Sequence, residues 1–334
     1  MRWAVPLVAV TVLLAGSIGS LNSPGPAPDP IHAAQSDFDA YIGVTEAMHA
    51  RWQVLDAACD PDAIFALLYL ITTAKVGDLV AASHFADNPF LVEWDQDFAQ
   101  RYFDAFDAHH AGGAAPEPWQ KAFDHAASGR STVTEDLLLG MNAHVNYDLA
   151  FSAYEMGLPQ NGQKADFDRV NDAFWNVVVP VGDEMGARYD PSQARDGSGE
   201  LGPFDYGVVE LLISWRENAW NNAVLLAHAG DPLTFAAVEA KIESEANAIA
   251  QGLLNDNGDT SADRRAYCEA SGHPPLAASL GGPGYGDDWV SQVEEPDSFL
   301  ICHAPGRPGQ RSMTVSEHSW HGHGHHGDHK GACA

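Results

Sequence analysis

The chain has 334 residues, with 46 Asp or Glu against 17 Lys or Arg and a formal net charge of −29. Hydrophobic residues make up 45% of it, enough for a packed core, which argues against global disorder. The acidic excess argues against nucleic acid or anionic lipid surfaces as partners, because phosphates are held by clustered Lys and Arg.

Residues 1–20, MRWAVPLVAVTVLLAGSIGS, have the pattern of a signal peptide: Arg2, an apolar stretch from Trp3 to Ala15, then small residues. That stretch is shorter than the roughly 20 apolar residues of a membrane span. The expectation is a secreted or extracytoplasmic protein with no stable membrane insertion after signal removal. Residues 21–36, containing LNSPGPAPDP, read as a Pro-rich extended tether.

From 37 to 256 the pattern is helical almost throughout. The expected helices are 37–58, 61–82, 89–110, 117–128, 132–156, 166–189, 204–228 and 232–254. Asp60-Pro61, Asn88-Pro89 and Asp231-Pro232 each place a capping side chain before a proline at the first helical position. Ser131 or Thr132 with Glu135 makes a capping-box start, and Pro180 predicts a kink or break in the sixth helix. The fold class expected is all-α, a multi-helix bundle of about eight helices. Residues 257–297, with HPPLAASLGGPGYGDD, read as a Gly/Pro-rich linker. Residues 298–334 read as a small Cys/His-rich module with short β elements at FLI and MTV.

The chemistry with the clearest spacing lies in the fifth helix. His144 and Asp148 are four apart, so both side chains share one helical face with Leu137, Met141 and Phe151. That face is apolar, so both polar groups point inward and need partners. Either they form a structural lock, or the imidazole and the carboxylate share a metal ion. Asp95, Tyr102, Asp168, Asn171 and Arg216 are the other polar-core candidates. Asp95 and Asp168 could complete a metal shell, or Arg216 could neutralise a carboxylate in a buried ion-pair network. No HExxH, CxxC, G-x-S-x-G or phosphate-loop pattern occurs.

The segments IFALLYLITTAKV, FLVEWDQDFAQRYFDAF, LLLGMNAHVNYDLAFS, ADFDRVNDAFW and SWRENAWNNAVLLA resemble, in order, the bacterial domain-of-unknown-function family 5995. The resemblance spans roughly residues 37 to 230, and GMNAHVNYDL is its most specific part. It implies the family's fold and leaves function open. The His-x-x-x-Asp spacing is also similar to an element of the helical zinc-dependent phospholipase C and nuclease group, but the Gln-Pro-x-His that follows there is missing here.

The tail carries ICHAPGRPG at 301–309 and HGHHGDHKGAC at 323–333, with six histidines between 318 and 329. It resembles a recurring ICHxPG…HxxHGDxxGxC module of exported bacterial proteins. Cys302, His303, His323, His326 and Cys333 match that module's positions and suffice for tetrahedral zinc or another divalent transition metal. The competing reading is a Cys302–Cys333 disulfide, leaving Cys59 and Cys268 as the second pair. Two functions follow. The first is an exported helical protein with a buried His/Asp polar core and a His-rich metal-binding or interaction tail. The alternative is a metal-dependent hydrolase of phosphoester type, with His144 and Asp148 as ligands.

Overall fold

The computed structural model describes residues 30–193 and 201–276, and the backbone of three short strands at Ser298–His303, Arg311–Ser316 and His329–Lys330. Side chains are described over 41–193 and 201–276, position 203 apart. In the first two ranges the described residues are all-α. The first strand pairs antiparallel with each of the other two, setting Cys302 opposite His329 along the backbone.

Helix α1 (Pro30–Ala57) packs against α2 (Ala63–Ala81), which has apolar residues on nearly every face and is buried along most of its length. By length and composition α2 could cross a membrane, but in the fold it is the central helix of the bundle. Around it stand α3 (Asn88–His110), α4 (Glu117–Ala127), α5 (Val133–Met141), and a π-helical segment (Asn142–Asp148) that continues into α6 (Leu149–Glu155). The short α7 (Leu158–Asn161) and α8 (Lys164–Arg169) lead to α9 (Asn171–Arg188). Helices α10 (Pro203–Ala227), α11 (Pro232–Leu253) and α12 (Ser261–Ser271) complete the bundle. One apolar cluster runs through it, from Tyr41 in α1 to Leu276 after α12.

The expected starts hold at two places. Thr132 accepts from the Glu135 amide while the Glu135 carboxylate accepts from the Thr132 amide, and Asp231 caps α11 through the Leu233 and Thr234 amides. Elsewhere the structure differs. The cap of α3 is Asp87, which accepts from the Phe90 amide, and Asn88 instead donates back to the Val80 carbonyl. The expected helix 132–156 is three pieces, with the π segment in the middle. The expected helix 166–189 is α8 plus α9, joined at Val170.

Pro180 does not end α9. Buried Phe174, Val177, Val181 and Met185 flank it on one face, and that packing offsets the roughly 3 kcal/mol that an interior proline costs. A further helix, α12, occupies part of the expected linker. It is tied to the bundle by Arg264 to Asp136 at 2.7 Å, by the Tyr267 hydroxyl to the Gly186 carbonyl at 2.6 Å, and by a Cys59–Cys268 disulfide.

Candidate functional site

The capping box at Thr132 fixes the start of α5, and nine residues later the helix widens into the π segment that carries both His144 and Asp148. Single π turns are rare and cost hydrogen-bond geometry, so their presence marks a place where side-chain placement outweighs backbone regularity. Here His144 Nδ1 lies 3.0 Å from Asp148 Oδ2, and the indole N–H of Trp119 in α4 donates to the same oxygen at 2.7 Å. A carboxylate oxygen only accepts, so the His144 proton sits on Nδ1 and Nε2 keeps its lone pair.

The His144 ring is buried, stacked on Phe98 at 3.6 Å and met edge-on by Tyr69 at 4.4 Å. Burial pushes its pKa below the ordinary value, and the Asp148 hydrogen bond only partly opposes this. The imidazole is therefore neutral, and Nε2 has no hydrogen-bond partner among the described residues.

His144 borders a cavity of about 90 Å³ between α2, α3, the π segment, α9 and α10. Leu68, Val76, Leu91, Phe98, Met141 and Phe174 supply an apolar wall. Tyr69, Thr73, Trp94 and Asp95 also line it. The Thr73 and Tyr69 side chains are near enough to pair with each other, as are Asp95 and Tyr41, while His144 Nε2 and the Trp94 indole N–H have no hydrogen-bond partner among the described residues. Leaving a buried group unpaired costs about 1–3 kcal/mol, so two orphans on residues that line one void call for an explanation. Desolvation pushes the Asp95 carboxyl up to about 7.

Arg216 also lines this cavity. Its guanidinium donates to Asn171 Oδ1 at 2.8 Å and to the Phe167 carbonyl at 2.5 Å, and lies 4.3 Å from the Phe167 ring centroid. Burial lowers its pKa to about 9, and among the described residues it forms no ion pair with a carboxylate. A second cavity of about 140 Å³ shares Leu68, Thr72, Met141, Phe174 and Leu212 with the first.

Of the residues singled out from the sequence, His144, Asp95 and Arg216 line one cavity, Asp148 orients His144, and Asn171 holds Arg216. Tyr102 is buried against the rings of Phe65, Tyr69 and Trp119. Asp168 instead faces solvent and pairs with Lys164. Among the described residues no third His, Cys, Asp or Glu converges with His144 and Asp148. Sequence reasoning missed Tyr69, Thr73 and Trp94. Tyr69 and Thr73 are four apart in a mostly apolar helix, which is the same signal that found His144 and Asp148. The side chains of Cys302, His303, His323, His326 and Cys333 lie outside the described residues.

A family model described as a family of unknown function (DUF5995) matches residues 42–256, and the chain belongs to that family. No curated protein and no solved structure matches it.

Proposed function

We propose that this DUF5995 member is an exported small-molecule-binding protein, whose ligand sits in the cavity and hydrogen-bonds to His144 Nε2. The observation that carries this reading is an apolar cavity also lined by Tyr69, Thr73, Trp94, Asp95 and His144, of which His144 Nε2 and the Trp94 indole N–H have no hydrogen-bond partner among the described residues. Asp148 keeps the imidazole in one tautomer and leaves Nε2 as a neutral acceptor on a ring packed against Tyr69 and Phe98. Ligand sites have this composition: a mostly apolar pocket with a few convergent polar groups, one or more with a shifted pKa. The cavity is small, about 90 Å³, so the bound part is a single small ring or a short chain with a hydroxyl, amide or similar head.

Export is supported by the signal-like first 20 residues and by the Cys59–Cys268 disulfide. The His-rich tail is an accessory module, with zinc or another divalent metal as its proposed occupant at Cys302, His303, His323, His326 and Cys333. The hydrolase alternative requires a third ligand beside His144 and Asp148, and the described residues bring none there. A thermal-shift screen of small polar organic compounds tests the main reading. Hits that raise the Tm of the wild type and not of His144→Phe support it. A screen without hits, or with hits indifferent to that substitution, refutes it.

A further inference from the structure

We infer that Cys59, Cys268 and His273 form a binding site for a zinc-like divalent cation, which becomes available when the Cys59–Cys268 disulfide is reduced. The site lies apart from the ligand cavity and does not depend on it. Cys59 follows the end of α1 and His273 follows the end of α12, and both have left-handed backbone, with φ of 50° and 49°. Non-glycine residues rarely adopt this conformation, and here it turns both side chains toward Cys268. The two sulfurs and one imidazole nitrogen all lie within 4.8 Å of one another.

The histidine is already arranged as metal-bound histidines are. Its Nδ1 lies 3.1 Å from Asp56 Oδ2, and its Nε2 lies 3.9 Å from Cys59 Sγ. A ligand imidazole usually gives its second N–H to a carboxylate, which fixes the tautomer and leaves the other nitrogen for the metal. Asp56 is itself held by the Tyr189 hydroxyl at 2.6 Å and by Arg188 at 3.4 Å. A purely structural disulfide has no need of this supporting shell.

Access and charge also fit. Cys59 and Cys268, though not His273, line a cavity of about 230 Å³ together with Asp60, Asp62, Arg264 and Arg265, which gives solvent access to the sulfurs. Two thiolates and a neutral imidazole balance a dication, the donor set that zinc takes in open sites. In the disulfide the sulfurs are bonded to each other, so bridge and metal exclude one another. A dithiol reductant supplies two electrons and two protons, the S–S bond breaks to two thiols, and the reductant leaves as its own disulfide. Metal binding then releases the two thiol protons to solvent.

The test is alkylation of the full-length chain, reduced with a dithiol, with and without added zinc, and with each cysteine read separately by peptide mass spectrometry. This separates the site from the tail cysteines. Circular dichroism of the reduced chain is recorded first, and helical content should be retained. Zinc should slow alkylation of Cys59 at least tenfold in the wild type. His273→Ala, which keeps both cysteines, should lose most of that protection, and Asp56→Asn should weaken the apparent zinc affinity about 10–100-fold. Unfolding on reduction, an unchanged Cys59 rate with zinc, or equal protection in His273→Ala would each overturn the proposal.

Discussion

Asp148 Oδ2 receives two donors, the Trp119 indole and His144 Nδ1, and this double acceptance fixes the His144 tautomer. An unfolded chain binds a proton to this imidazole near pH 6.5, whereas the buried ring resists it. The stability tied to His144 is therefore present above that pH and is lost as pH falls below it. Asp95 has the opposite sign. Its folded carboxyl sits at about 7 against an ordinary 3.8, so the folded state binds the proton more tightly and loses stability as pH rises from about 4 to 7. Asp95→Asn removes the charge without removing the shape. It should raise stability at pH 8 by about 2 kcal/mol, with the gain fading toward pH 4. Urea titrations at the two pH values check this, and a gain independent of pH would contradict it.

At the scale of elements, the approach of α5 to α2 positions the His144 ring. A Cβ on Gly140 would lie 2.3 Å from the Phe65 ring, and Phe65 in turn meets His144 edge-on at 6.0 Å. Gly140→Ala should cost about 1–3 kcal/mol through overpacking and should shift the His144 ring resonances. A stability loss below about 0.5 kcal/mol, the scatter of surface substitutions, would mean that Phe65 moves aside freely. Much of this level was legible in the sequence. Capping chemistry located the starts of α5 and α11, and the period of apolar residues located α2. The π segment was not legible, because NAHVNYD has the composition of an ordinary helix and only its hydrogen bonding differs. Helix α12 was missed for a related reason. SADRRAYCEAS buries only Cys268, so it shows no apolar period and is held by Arg264, Tyr267 and the disulfide instead. The site itself divides the same way. The pair within one helix was visible from its spacing, and Asp95 and Arg216 were among the polar candidates, while Tyr69, Thr73 and Trp94 join the same cavity only through packing between helices.

For the whole molecule, the fold is a bundle wrapped around α2, with the polar face of that helix at Tyr69 and Thr73 turned to the same cavity as His144, Asp95 and Arg216. If this cavity binds a ligand, the bundle is a container whose one well-placed acceptor is His144 Nε2. If it does not, the unpaired groups are an uncompensated cost in an otherwise packed core. The most direct test is the ¹⁵N resonance of His144 Nε2 in the labelled protein, followed during separate titrations with phenol and toluene. The two probes have the same shape, and only phenol donates a hydrogen bond. The account predicts saturable binding of phenol with an upfield shift of Nε2, no such shift with toluene, and loss of the preference for phenol in His144→Phe. An Nε2 resonance that stays put with phenol, or that moves equally with both probes, would contradict it.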